Sequence, residues 1–278
     1  MRLLTLKSVL VATDLDESSP SALRTAVRLA ALAGARLHLV HVADRPVPGD
    51  EARLRELFQR TAPEAPRPES AQVVHGVPAR QAIVDRAASV DADVVVLGPH
   101  RRATGQAGAL GSTAASVVRT APCPCLVTAT ELRLPLERIL AAIDLSEAGG
   151  GVLSVALSWA SALRPREGRA RLTALHVTAN PGEDDAQRVR DEVQRARARA
   201  RGAAFVEIDE RLGPGSDPAG EILRHAVADA ADLLVVGTRG VDPVPGLGSV
   251  SAAVARATPC PLLLVPPAIW MDQDPRGV

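Results

Sequence analysis

The chain writes one stretch of itself twice. "GSTAASVVRTAPCPCLV" opens at Gly111 and "GSVSAAVARATPCPLLLV" opens at Gly248, 137 residues later. Both share a Gly-Ser start, an arginine (Arg119, Arg256), a Pro-Cys-Pro and a closing apolar run. A second pair agrees: "RILAAIDLSE" (138–147) matches "SVLVATDLDE" (8–17) at an offset of 130. Whatever one half folds into, the other must fold into as well. Half of the 278 residues is an ordinary domain length of about 100–150 residues. Two domains are therefore expected, 1–130 and 135–278, with "TELRLPLE" (130–137) as a short linker.

Each half alternates apolar runs with helical patterns. In the first, strands are expected at 8–14, 35–42, 71–76, 93–98 and 123–128. Helices are expected from 18 to about 34, near 49–60, at 78–90 and at 112–120. The second half repeats the order, with its first strand in the 138–147 match and strands at 170–177, 232–237 and 259–265. Runs such as "DVVVLG" and "DLLVVG" are continuous rather than alternating, the mark of strands covered on both faces in a parallel sheet. Strand–helix alternation means βαβ units with right-handed crossovers. The expected fold is α/β: two tandem, doubly wound, five-stranded parallel sheets. A closing strand that follows a proline belongs at a sheet edge, where open backbone groups can pair with another strand.

Composition removes several function classes. The formal net charge is +0, so no global field recruits nucleic acid or an anionic membrane. Only Phe58, Phe205, Trp159 and Trp270 are aromatic, which leaves no platform for stacked bases. The arginine-rich "RVRDEVQRARARARG" (188–202) spaces its charges two apart, around a helix, and reads as a solvated helix with internal ion pairs. Cys123, Cys125 and Cys260 sit inside the repeated apolar runs, without zinc spacing, and read as buried reduced thiols. No apolar stretch approaches the roughly 20 residues of a membrane span, and the start of the chain lacks a signal-peptide pattern. The expected location is the cytoplasm.

In a doubly wound sheet, ligands sit at the carboxyl ends of the strands, at the switch point. Four features fall there in each half. They are an aspartate after the first strand, a valine ending the second, a glycine ending the fourth, and a Gly-Ser opening the next helix. Glycine lets backbone approach a ligand closely, and a helix amino terminus favours a phosphate. Asp14 and Asp144 have a second reading as caps of the helices that follow them, and Ser112 and Ser249 are expected to cap theirs. His41 and His176 recur between apolar neighbours without a partnering nucleophile, so they read as strand-end histidines rather than catalytic bases.

Both halves resemble the universal stress protein family, and the whole chain resembles its tandem members. The resemblance rests on a Gly-x2-Gly-x9-Gly-(Ser/Thr) pattern after the fourth strand. The first half gives Gly98, Arg101 in place of the second glycine, then nine residues to Gly111, Ser112 and Thr113. The second half gives Gly237 and Gly240, then seven residues to Gly248, Ser249, Val250 and Ser251. The resemblance implies that Val42 or Val177 holds adenine, that Asp14 or Asp144 holds the ribose, and that the glycine loop holds phosphates. It implies ATP or a related adenine nucleotide, with or without Mg2+, and a homodimer of the chain. It implies dimerisation through the closing strand, which would let the two halves pair as an intrachain pseudo-dimer. It further implies a stress-response regulator with at most slow ATP hydrolysis. The residues themselves offer no His-x-x-x-His or carboxylate cluster for a metal. Arg101 and the two-residue shortening keep a second reading open, a nucleotide-free scaffold acting through protein contacts. An adenylyl-transferring enzyme is the least suited, since neither Ser-Gly-Gly-x-Asp-Ser nor His-x-Gly-His occurs.

Overall fold

A computed structural model describes residues 6–15, 19–98, 110–128, 130–200, 203–238 and 247–267. Its contacts divide the chain into two compact units, one spanning Leu6–Glu131 and the other beginning at Leu132. In the first unit the strands are β1 (Ser8–Thr13), β2 (Arg36–Ala43), β3 (Ser70–His75), β4 (Val94–Leu97) and β5 (Cys125–Val127). Helices α1 (Ser19–Ala33), α2 (Asp50–Thr61), α3 (Ala79–Ser89) and α4 (Ser112–Thr120) alternate with them. All strand pairs are parallel, in the order β3-β2-β1-β4-β5. The chain winds outward from β1 to β3, then returns to lay β4 on the other side of β1. That reversal puts α1 and α2 on one face of the sheet and α3 and α4 on the other.

The second unit repeats the plan. Its strands are β6 (Arg138–Ile143), β7 (Ala170–Thr178), β8 (Val206–Pro214), β9 (Leu233–Gly237) and β10 (Leu262–Val265). They pair in parallel in the order β8-β7-β6-β9-β10. Helices α5 (Glu147–Leu163), α6 (Glu183–Arg199), α7 (Pro218–Ala228) and α8 (Ser249–Ala257) cover the two faces.

The cores are aliphatic, as the scarcity of aromatics requires. Val9–Val11 of β1 and Val94–Val96 of β4 have no exposed surface, and neither do Leu233–Val235 of β9 and Leu262–Leu264 of β10. Burial on both faces explains why these strands read as continuous apolar runs. Helix α1 buries Ala22, Leu23, Ala26, Leu29 and Ala30, an i, i+4, i+7 stripe whose alanines let it lie close to the sheet. Trp159 of α5 is fully buried.

One repeated anchor fixes the amino end of each sheet. Asp93, just before β4, accepts the backbone N–H groups of Lys7 and Ser8 at 2.7 and 2.9 Å. Asp232, just before β9, accepts those of Glu137 and Arg138 at 3.2 and 2.9 Å. Each carboxylate satisfies two donors that begin the central strand, which have no strand partner of their own.

Three expectations shift. Strands β5 and β10 begin two or three residues later than the apolar runs suggest, because Pro124 and Pro261 have no N–H to give a ladder. Their carbonyls still accept, from Val95 and Leu234, both at 3.0 Å. The arginine-rich helix starts earlier and ends earlier, as α6, and carries ion pairs of Arg190 with Glu183 and Arg195 with Glu192, both at 2.6 Å. That is the solvated, internally paired helix expected.

Candidate functional site

The strand order brings the candidate residues to one end of each sheet. Asp14 and Asp144 are the first residues past β1 and β6, at the centre of the switch point. Val42 and Val177 lie at the second-to-last positions of the neighbouring β2 and β7. On the other side, Gly98 follows β4 and Gly237 ends β9. Gly111 and Gly248 are the N-cap residues of α4 and α8. Arg101 and Gly240 lie outside the described residues.

The aspartates sit on an unusual turn. Leu15 and Leu145, the residues after them, have left-handed backbones at φ 62° and 56°. A leucine there costs about 1 kcal/mol relative to the right-handed region, and such strain gathers at functional sites. Side chains hold the turn: Leu15 N–H donates to Thr13 Oγ1 at 3.2 Å. In the second unit Asp144 Oδ1 accepts from Ser146 N–H at 3.1 Å and from Ser146 Oγ at 2.6 Å. Asp144 therefore closes its own turn, one residue before α5. Behind it, Arg188 of α6 donates to the Leu145 carbonyl at 3.2 Å and lies 3.9 Å from Asp185.

His41 and His176 brace the same place. His41 Nδ1 lies 2.8 Å from the Thr13 carbonyl, and His176 Nδ1 lies 2.9 Å from the Ile143 carbonyl. A carbonyl only accepts, so both Nδ1 atoms carry hydrogen and donate. Each histidine ties the end of the second strand to the residue preceding the site aspartate. They are strand-end histidines, as their apolar neighbours imply.

The helix openings correct one expectation. Ser112 and Ser249 do not cap their helices; they occupy the first helical position, and glycine holds the N-cap without any side-chain hydrogen bond. A cap needs an extended backbone from which a side chain reaches back to the second or third helical N–H. Gly111 (ψ 159°) and Gly248 (ψ 152°) have that backbone, and the serines do not. Among the described residues no side chain caps the first-turn N–H groups of either helix, the arrangement that suits an anion. Ser112, Thr113 and Ser249 are exposed, and Val250 is half-buried. Ser251 is different: it is buried, and its hydroxyl donates to the Gly237 carbonyl at 2.6 Å. With the Gly248 N–H donating to Thr238 at 2.9 Å, it ties the α8 opening to the end of β9.

Two features of this end were missed in the sequence. One is the left-handed leucine, which no glycine announces. The other is Arg188, which had a readable signal: Asp-x-x-Arg stands in both halves, as Asp50–Arg53 and Asp185–Arg188, three residues apart on helices after the second strand.

Other chemistry is quiet. Cys123, Cys125 and Cys260 are free and buried, and burial pushes the Cys123 thiol up to about 12 and the Cys260 thiol up to about 11. Such thiols are not nucleophiles at neutral pH. Among the described residues no group of three or more His, Cys, Asp or Glu could hold a metal ion, and no helix is long and apolar enough to cross a membrane. Two hollows, of about 580 and 260 Å3, open at the opposite end of the second unit, beside the amino ends of its strands.

A family model described as the universal stress protein family matches residues 5–129 and again residues 135–266. The chain belongs to the universal stress protein family. It is a tandem member. Universal stress protein YxiE of Bacillus subtilis (strain 168) is 30% identical over 150 residues, which cover 46% of this chain and 98% of YxiE. One YxiE-length protein thus corresponds to about half of this tandem chain. A Thermus aquaticus protein described as a universal stress protein in the QAH/OAS sulfhydrylase 3' region is 38% identical over 85 residues. That match spans 30% of this chain and 62% of the Thermus protein's own length. Over nearly the whole chain, the crystal structure of a universal stress protein from Archaeoglobus fulgidus DSM 4304 superposes with a TM-score of 0.70 at 18% identity. It covers 94% of this chain and 98% of that one, and the likeness is one of fold.

Proposed function

We propose that this tandem universal stress protein, with domains 1–130 and 135–278, binds ATP or a related adenine nucleotide in at least one unit. The second unit is the better fitted, because Gly237 and Gly240 keep both glycines of the loop. The observation that carries the reading is the pair of uncapped helix openings at Gly111 and Gly248, set beside a strained turn that bears an aspartate. The N–H groups of α8 suit phosphates, Asp144 suits ribose hydroxyls, and the Val177 backbone suits the base edge. In the first unit the corresponding groups are Asp14, Val42, Gly98, Arg101, Gly111, Ser112 and Thr113. A divalent ion such as Mg2+ would travel with the phosphates.

Binding of this kind makes the protein a stress-response regulator rather than a fast enzyme, acting in the cytoplasm as a homodimer. Hydrolysis is at most slow, since the histidines nearest the aspartates have Nδ1 committed to backbone carbonyls. The second reading, a nucleotide-free scaffold, is motivated by Arg101 and by the seven-residue spacing before Gly248. Calorimetric titration of ATP into wild type, Gly111→Glu and Gly248→Glu decides between them. Each substitution puts a carboxylate where a phosphate would sit. The expected result is saturable binding by wild type that falls at least tenfold, about 1.4 kcal/mol, in Gly248→Glu. No binding by wild type leaves the scaffold reading.

A further inference from the structure

We propose that the second unit carries an anion site at the amino-terminal end of its sheet, built on Arg138 and Arg171, that takes a compact oxyanion. The inference is independent of the nucleotide reading and concerns the opposite end of the fold.

Arg138 and Arg171 are register partners on adjacent parallel strands. They share one face at the usual strand spacing of about 4.8 Å, where like charges repel. Their neighbours do little to neutralise them. Asp232 Oδ2 is committed to two backbone N–H groups, and its Oδ1 lies 3.8 Å from the Arg138 guanidinium, beyond hydrogen-bond distance. Glu207, next in register after Arg171, has its carboxylate 3.7 Å from Arg169. Arg171 makes no ion pair among the described residues.

Both guanidinium-bearing residues line a hollow of about 260 Å3 beneath the last turn of α7, with Thr173, Arg211 and Asp229. Asp229 is already held there: Arg211 Nη1 donates to both of its oxygens at 2.9 Å, while Arg211 Nε donates to Asp209 at 2.8 Å. Arg211 is thus matched by Asp209 and Asp229, Arg138 has Asp232 at 3.8 Å, and Arg171 is the guanidinium of this hollow without a carboxylate partner among the described residues. The outer hollow, of about 580 Å3, shares Arg138 and Arg171 with it. There Glu137, Glu167 and Glu207 stand against Arg138, Arg169 and Arg171. On the inner side Asp229 is the one lining carboxylate among the described residues, and Arg211 holds it.

Size sets the ligand class. Organic ligands occupy pockets of about 300–1,000 Å3, and a water's share of liquid is about 30 Å3. The inner hollow suits a phosphate or a small carboxylate with its water, not a nucleotide. The first unit has no such pair, since Ser8 is the partner of Arg36 and gives its hydroxyl to the Val90 carbonyl at 2.9 Å.

The test titrates the full chain with inorganic phosphate and, separately, with succinate, at ionic strength held constant with chloride. Wild type, Arg171→Gln and Gly248→Glu are compared by calorimetry and thermal melting. Saturable binding of at least one ion is expected, at least tenfold weaker in Arg171→Gln and unchanged in Gly248→Glu. Tighter binding of phosphate assigns the site to a phosphate group, and tighter binding of succinate to a carboxylate. In chloride alone, with neither test ion present, Arg171→Gln should melt no lower than wild type, because it relieves a repulsion. The proposal is overturned if neither ion binds saturably, if Gly248→Glu rather than Arg171→Gln abolishes binding, or if Arg171→Gln melts lower in chloride alone.

Discussion

The two units share a frame and differ at its ends. Each has the aspartate that gathers the start of its central strand, the histidine that ties the second strand to the first, the left-handed leucine, and the glycine that opens the phosphate-side helix. These repeats sit where the fold leaves backbone groups without partners. The differences lie where the fold makes no demand. At the amino end the second unit sets Arg138 beside Arg171, where the first sets Ser8 beside Arg36. Beside the last turns of the outer strands, Glu221 of α7 packs its Cγ where a side chain on Gly213 would stand, 2.9 Å from that Cβ position. The first unit has Val74 and Ala82 at the corresponding places. The second unit has instead a glycine–glutamate contact that adds a buried carboxylate, bonded to His225 at 3.1 Å. A duplicated chain thus separates what a doubly wound sheet requires from what one copy can use for a ligand.

The largest expected effect tests the shared frame. Asp93→Ala and Asp232→Ala should each destabilise their own unit by roughly 2–3 kcal/mol, since each leaves two backbone donors without an acceptor. Urea unfolding followed by amide signals assigned to each unit checks this. Equal loss in both units from either substitution would mean that the units do not unfold as separate bodies.

A smaller effect concerns the turn that bears the site aspartate. Arg188 holds the Leu145 carbonyl, whereas its counterpart Arg53 is paired with Asp50 at 3.3 Å. Arg188→Ala should weaken nucleotide binding about threefold to tenfold and change stability by less than about 0.5 kcal/mol, as for most exposed side chains. Arg188→Lys, which can still donate to the carbonyl, should recover most of the affinity, and Arg53→Ala should leave it unchanged. Equal losses from Arg53→Ala and Arg188→Ala would erase this difference between the units.

Much of the fold was legible because parallel-sheet strands announce themselves as unbroken apolar runs, and because a repeat checks each reading against its twin. The strand-end positions of Asp14, Val42, Asp144 and Val177 followed from that order. The serine caps were misread because Gly-Ser looks the same whether the glycine or the serine takes the extended backbone. The leucine turns were invisible because a left-handed residue is signalled by glycine or asparagine, and here local side-chain bonds, joined by Arg188 in the second unit, hold it on leucine. The Arg138–Arg171 pair depends on register between strands 33 positions apart in sequence, which no local pattern encodes.

The smallest effect is a dependence on pH shared by both units. Burial lowers the imidazole of His38 in the first unit and of His225 in the second below the usual 6.5. The unfolded chain therefore takes up protons before the folded one as pH falls through 6.5, and folding loses stability below that point. Melting temperatures measured from pH 7.5 to 5.5 should decline, and His38→Gln should flatten the decline of the first unit alone.

Mapping of backbone amide shifts on adding ATP tests the central claim most directly, that the carboxyl ends of a repeated sheet form the ligand crevice. The account predicts shifts grouped at Asp144, Val177, Gly237 and Gly248–Ser251, with or without their counterparts in the first unit. Shifts confined to the amino ends, around Arg138, Arg171 and Asp229, would contradict it, as would no shift at all.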